Sequence, residues 1–290
     1  MKSVAAGYAT KTIRRGVRFG RTLLRSSIER NARRLADEAA GRGSGLIRMP
    51  EEDGYASFPA LELSGVGASI LALRQLAEGW KSDVSRRKNT MPIDLLQSDD
   101  LFEHRALIDL AVHDDILAAV TGYFGQVPRL HRLMMWWSPP NQDVKGSRLY
   151  HYDHRDNRQA KVFINLSDVT EDNGPLHFLK PADSRKVDAK VGYSQGRYSD
   201  EEVYSAVSKS DVLTAVGEAG RGFIVDTARC LHYGSRGNRS DRFILLLNFA
   251  RVNSVDPGKG CVVLDPVRKR LVREFYDSDP VRAVVLDSPL

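Results

Sequence analysis

Residues 151 to 156, HYDHRD, write one pattern twice: His151-x-Asp153, then His154-x-Asp156. Imidazole nitrogens and carboxylate oxygens are both metal donors. Two positions apart on an extended chain they share a face, with Cα atoms roughly 6 to 7 Å apart, so either pair can converge on one ion. Spacing alone is weak, because seven histidines and 37 acids in 290 residues supply one such pair by chance. A third donor has to come from elsewhere. His232 lies in CLHYGSRGNRSDRFILLLNFA, where a turn centred near Gly237 and Asn238 predicts a hairpin that sets His232 almost opposite Arg242. Two histidines and a carboxylate make a facial triad that leaves three positions open on a metal. An arginine beside it suits a carboxylate ligand gripped by two N–H groups, and a guanidinium in a partly buried pocket favours a resident anion.

The elements that must position these residues follow from periodicity. LHRLMMWWS (130 to 138), AKVFINLSDV (160 to 169), LHFLK (176 to 180), GFIVDT (222 to 227) and RFILLLNFAR (242 to 251) read as strands, separated by the turn chemistry of PPNQ, EDNGP and SRGNRSD. Upstream, SILALRQLAEGW (69 to 80) and HRALIDLAVHDDILAAVTGYF (104 to 124) have helical periodicity. Helices followed by many short strands predict a mainly β protein with flanking α-helices, an antiparallel sandwich or barrel with the helices packed outside.

Composition narrows the class. A chain of this length with 42% hydrophobic residues can bury one substantial core, and it carries neither a run of roughly 20 apolar residues nor a secretory leader, so a cytoplasmic location is expected. Cys230 and Cys261 are too few for a disulfide framework or a zinc ribbon and read as small buried hydrophobes. The formal charge of +6 is unevenly placed: residues 1 to 50 hold twelve Lys or Arg against three acids, which leaves the remainder slightly acidic and excludes a nucleic-acid-binding surface on the body. Within that basic arm, Ile13, Val17, Leu24, Ile28 and Leu35 form an amphipathic stripe. The stripe either packs on the protein's own body or docks on an anionic membrane surface or acidic partner through residues 11 to 35. GRGSG (41 to 45) reads as a linker, giving an arm over residues 1–50 and a catalytic or binding domain over residues 51–290.

The motifs HYD, KVFINLSDV, EDNGPLHF and LHYGS, with Arg242 ten residues after His232, occur in an order that resembles the phytanoyl-CoA dioxygenase-like branch of the Fe(II)/2-oxoglutarate oxygenases, over roughly residues 130 to 250. The resemblance implies a double-stranded β-helix (jelly-roll, cupin-like) core with Fe(II) held by His151, Asp153 and His232. It also implies 2-oxoglutarate with its far carboxylate on Arg242 and a hydroxyl from Ser235, O2 as co-oxidant, and ascorbate as reductant in vitro. The family places its H-x-D at the end of an approach strand, here SRLYHYD, which selects the first frame and leaves His154 and Asp156 in the following loop. KPADS at 180 to 184 departs from the family's PGSH-like stretch, so the rim after the turn is not carried over. A carboxylate at Asp153 argues against halogenation, since halogenating relatives have a small residue there.

Other residues carry two readings each. Alternation puts Lys161 and Asn165 on one face of AKVFINL, either towards the cosubstrate or towards solvent. His154 and His177 are substrate contacts or structural polar residues. The insert from Lys186 to Glu218 reads as a lid over the site, with Tyr193 and Arg197 as substrate contacts. Trp136, Trp137, Met134 and Met135 read as core. The expected activity is hydroxylation of an unactivated C–H bond in a small-molecule substrate, with release of succinate and CO2. Two other classes remain: a divalent-metal-dependent hydrolase or lyase on the same fold, in which Arg242 has no evident task, and a non-catalytic protein that works through its basic arm.

Overall fold

The runs rich in β-formers become strands, joined by short ones that periodicity does not show. They are β1 (Tyr55–Pro59), β2 (Ile93–Asp94), β3 (Arg129–Ser138), β4 (Gln159–Asn165), β5 (Leu176–Phe178), β6 (Leu213–Ala215), β7 (Arg221–Asp226), β8 (His232–Tyr233) and β9 (Arg242–Ala250). In the computed structural model, which describes residues 26–86, 92–153, 156–193, 196–252, 254, 264 and 266–286, these strands form two antiparallel sheets. One has the order β1-β7-β4-β9-β3-β2 and the other β6-β5-β8.

The alternation of strand residues decides what each face meets. Val162 and Ile164 of β4, Leu245 and Leu247 of β9 and Leu133 of β3 point outwards into a core shared with helices Gly67–Lys81, Asp114–Phe124 and Pro280–Leu286. Phe163, Phe223 and Leu246 point inwards and meet Leu176, Phe178 and Ala215 of the small sheet. Strand β9 lies between these two cores, and all nine of its residues are buried. That explains why it reads as an unbroken apolar run rather than an alternating one. Each fully buried leucine in it contributes about 1.5–3 kcal/mol relative to exposure.

Three sequence expectations change. The helix expected over 104 to 124 is two, Ala106–Ala111 and Asp114–Phe124, because His113 adopts an extended conformation and caps the second helix by accepting a hydrogen bond at Nδ1 from the Asp115 N–H (3.3 Å). The hairpin expected to set His232 opposite Arg242 does not form: β8 pairs with β5 in the small sheet, whereas β9 pairs with β3 and β4 in the large one. The chain crosses between sheets after β8, through Ser235, whose φ of +57° is the single left-handed backbone among the described non-glycine residues. Finally, the insert expected to act as a lid is packed structure. It contains most of helix Pro181–Val191 and all of helix Asp200–Tyr204, and its Val187, Tyr198 and Val203 share a buried cluster with Tyr150, Tyr152 and Leu231.

The described part of the basic arm is also packed. Residues 26–34 and Ala36–Gly41 are helical, and Ala32, Leu35 and Ala39 are buried in the same core as the outer face of the large sheet. GRGSG is pinned where it follows: the Ser44 N–H and hydroxyl both donate to Asp115 Oδ1 (2.6 Å each). Ile13, Val17 and Leu24 lie outside the described residues, as does Cys261. Among the described residues, no helix is long and apolar enough to cross a membrane.

Candidate metal centre

The first H-x-D copy and His232 are brought together by the backbone. His151 and His232 exchange hydrogen bonds, His151 N–H to His232 O (2.9 Å) and His232 N–H to His151 O (3.1 Å), so the HYD segment continues the small sheet beyond β8. Two residues on, the Asp153 N–H donates to Thr227 O (2.9 Å) in the turn after β7. Alternation turns Tyr152 the other way, where its hydroxyl donates to Ser184 O (3.2 Å) and Asp188 Oδ2 (3.0 Å).

The three side chains converge. One donor atom from each of His151, Asp153 and His232 lies within 4.8 Å of the others, and the two imidazole rings are 4.3 Å apart. Both histidines commit the same nitrogen elsewhere: Nδ1–H of His151 donates to Leu149 O (2.9 Å), and Nδ1–H of His232 to Cys230 O (2.9 Å). A backbone carbonyl on Nδ1 fixes the tautomer and leaves Nε2 as the free donor. Burial lowers the pKa of His151, and for His232 burial together with the neighbouring imidazole lowers it to about 3. For Asp153 burial acts in the raising direction, but the Lys161 ammonium and the two imidazoles outweigh it and hold the carboxyl well below the usual range. Two neutral imidazoles and one carboxylate are the protonation states that a divalent cation needs, so the donor set fits a metal ion.

The second copy has another fate. The Asp156 side chain is fully buried and ion-paired with Arg251 at 2.7 Å, while His154 lies outside the described residues.

A single cavity runs from the triad to Arg242. Its wall carries His151, His232, Lys161, Asn165, Ser235 and Arg242. Arg242 is 5% exposed, and among the described residues it has no carboxylate partner. Its Nη1 donates to Gly174 O, its Nη2 to Ser235 Oγ (2.8 Å) and more distantly to Ser138 Oγ (3.4 Å), and its Nε is left without a partner. Burial alone pushes its pKa down to about 10. A guanidinium desolvated in this way is costly unless an anion enters. Gly174, the glycine of EDNGP, serves this corner: its φ is +62°, a Cβ there would overlap Asn238, and its carbonyl also accepts the Ser235 N–H (3.0 Å).

The cavity-facing side of AKVFINL is the Lys161 face. Lys161 Nζ pairs with Asp153 Oδ2 at 2.6 Å, and the Asn165 amide donates to Gly217 O (3.1 Å). The remaining candidates are not brought to the cavity. His177 points out of the small sheet because its neighbours Leu176 and Phe178 point in; it stacks on Tyr233 (4.6 Å) and contacts Thr214 Oγ1 (3.2 Å). Tyr193 is exposed and stacks on Tyr152, on the side away from the triad. Arg197 is exposed, with its Nε donating to Gly146 O (2.9 Å), near enough to His151 for its charge to help lower that pKa.

Sequence reasoning missed Ser138, which shares a hydrogen bond with Ser235 (2.8 Å) and stands opposite Arg242 in the β3–β9 register, and it assigned Trp136 to the core although that ring lines the cavity. Both depend on β3 lying beside β9, a pairing that no local pattern announces.

No protein-family model matches the chain, and neither does any curated relative. Solved structures do. The EctD structure from S. alaskensis with 2-oxoglutarate and 5-hydroxyectoine aligns at a TM-score of 0.50 and 15% identity, covering 69% of this chain and 73% of that one. EvdO2 from Micromonospora carbonacea var. aurantiaca complexed with 2-oxoglutarate aligns at 0.47 and 17%, covering 72% and 91%. The epimerase SnoN in complex with Fe3+, alpha ketoglutarate and nogalamycin RO aligns at 0.45 and 17%, covering 75% and 84%. At such identities the likeness to EctD is a likeness of fold.

Proposed function

We propose that the protein is an Fe(II)- and 2-oxoglutarate-dependent oxygenase of the phytanoyl-CoA dioxygenase-like branch, built on a double-stranded β-helix and acting on a small-molecule substrate. One observation carries the reading: a two-histidine, one-carboxylate cluster and a buried arginine with no carboxylate partner among the described residues occupy two ends of one cavity. The fold it shares with an EctD structure that holds 2-oxoglutarate agrees with it.

In this reading His151 and His232 hold Fe(II) through Nε2, since each Nδ1 is engaged by a carbonyl, and Asp153 supplies the charged ligand. Arg242 takes the far carboxylate of 2-oxoglutarate, with Ser235 Oγ alongside, and Asn165 borders the space between. When bound, iron and 2-oxoglutarate supply the oxidising chemistry, in which O2 and the cosubstrate are converted to succinate and CO2 as a C–H bond of the substrate is hydroxylated. The chain's share is to orient the donors, neutralise the cosubstrate's charge and keep the wall dry: Phe163, Phe223 and Ile244 surround the polar ends. A metal-dependent hydrolase would leave Arg242 a buried charge without a task.

The test is succinate formation from 2-oxoglutarate in the presence of Fe(II), ascorbate and O2, together with anaerobic binding of Fe(II) and 2-oxoglutarate followed by their visible charge-transfer band. Absence of both the band and succinate would sink the proposal.

A further inference from the structure

Lys161 is a cation of the cavity wall whose present partner is a candidate metal ligand. Its ammonium sits 2.6 Å from Asp153 Oδ2, and that same oxygen is the one 3.7 Å from His232 Nε2. The ammonium therefore holds the carboxylate atom that faces the triad. A divalent ion on this atom would place a second positive charge against the ammonium, and two like charges at bonding distance from one oxygen repel strongly in a buried site. Among the described residues, the cross-strand neighbours of Lys161 offer no other counter-ion: on one side lie Val225 and Tyr55. On the other, along the same row of the large sheet, come Asn248 and then Arg132, so the next side chains there are a neutral amide, whose Oδ1 is buried without a hydrogen-bond partner, and another cation.

Charge and position then point to what relieves Lys161. With a divalent metal, the triad, Lys161 and Arg242 together carry three positive charges in excess, and a 2-oxoglutarate dianion leaves one. The cosubstrate's far carboxylate, held at Arg242, is badly placed to meet Lys161. Lys161 is level with Asn248, six positions along β9 from Arg242, so the two rows are about 20 Å apart at the backbone. A molecule clamped at Arg242 reaches the triad with its other end, and Lys161 stands on the Asp153 side of that triad.

We infer that the substrate is a carboxylic acid, and that Lys161 is its anchor: the ammonium occupies Asp153 in the metal-free protein and turns to the substrate carboxylate once a metal takes Asp153. This rests on the oxygenase reading above, and it assigns Lys161 to the substrate rather than to the cosubstrate.

The experiment uses the full chain loaded with Mn(II) and 2-oxoglutarate, a pair that binds without turnover. Acetate and acetamide, alike in shape and different in charge, are titrated into wild type, Lys161→Met and Lys161→Arg, with Mn(II) magnetic resonance and calorimetry as readouts. Acetate is expected to bind wild type about tenfold or more tighter than acetamide, Lys161→Met to erase that preference, and Lys161→Arg to retain it. Mn(II) is expected to bind Lys161→Met several-fold more tightly, because its competitor is gone, with 2-oxoglutarate affinity unchanged within about threefold. A wild type that does not prefer acetate, a preference that survives in Lys161→Met, or a large loss of 2-oxoglutarate affinity in that variant would each overturn the assignment. Should Lys161→Met misfold by circular dichroism, Lys161→Gln replaces it, and the wild-type comparison decides independently. Failure of wild type to bind Mn(II) at all counts against the oxygenase reading instead.

Discussion

The two ends of β9 carry the same residue in opposite circumstances. Arg251, just past the last residue, faces Asp156, and that hydrogen-bonded carboxylate raises its pKa. Arg242, the first residue, faces two hydroxyls and a carbonyl, and burial lowers its pKa. One end is closed by the protein itself and the other is left for a ligand to close. The two H-x-D copies differ as well: each aspartate is paired with a cation, Asp156 with Arg251 and Asp153 with Lys161, but of the two Asp153 is the one that also stands among imidazoles.

That comparison can be broken experimentally. The largest effect is expected from Asp153→Ala, which removes the single charged donor and should weaken Mn(II) or Fe(II) binding by more than about a hundredfold; unchanged metal titration would show that the wrong frame was chosen. Arg242→Gln should weaken 2-oxoglutarate by roughly a hundredfold while leaving metal affinity in place, measured by calorimetry on the metal-loaded protein. Asp156→Ala should do the reverse of Asp153→Ala: metal binding is kept, and stability falls by about 1–3 kcal/mol, because a half-exposed Arg251 recovers hydration that a buried one would not. A urea melt beside a metal titration separates the two aspartates. The smallest change is expected from Ser235→Gly, where the left-handed backbone is relieved of strain as one hydroxyl is lost; cosubstrate affinity should fall only several-fold and stability should hold.

Acid should affect the triad in a direction fixed by His232. Its folded pKa, about 3, lies below the usual imidazole value, so in the metal-free protein the unfolded chain binds the proton first. Stability is then fully present above the unfolded value of about 6.5 and is lost as pH falls towards the folded one. Denaturation midpoints measured between these limits should decline with acid, and His232→Gln should flatten the decline.

How much of this was legible depends on distance along the chain. His151 and Asp153 were readable as a candidate donor pair because H-x-D works within three residues, whereas His232 was reached through a hairpin that does not form; strands β4, β7 and β9 were readable from their own β-rich runs. Strands β1 and β2 were not, because five and two residues give too few alternations to rise above a helical neighbourhood. The SRGNRSD turn was read as a simple hairpin, since a glycine-asparagine centre has that local chemistry, yet the competition was decided by β3 and β4, which offer β9 longer partners than the two-residue β8 can. The lid reading failed for a similar reason. Tyr198 looks like a loop residue in sequence, but it finds its burial against Tyr150 and Tyr152, more than forty positions upstream.

The reciprocal pair of backbone bonds between His151 and His232 has a mechanical side. Those two residues close a loop of roughly eighty residues that includes β4 to β7, and the seam they form is a single bridge at the edge of a three-stranded sheet. An ion shared by the two imidazoles would lie across that seam as a cross-link, and its binding energy would be added to the closure of the sheet. Metal affinity would then report how firmly the last edge of the fold is sewn shut, and chelation should show first as faster amide exchange at residues 150–153 and 232–233.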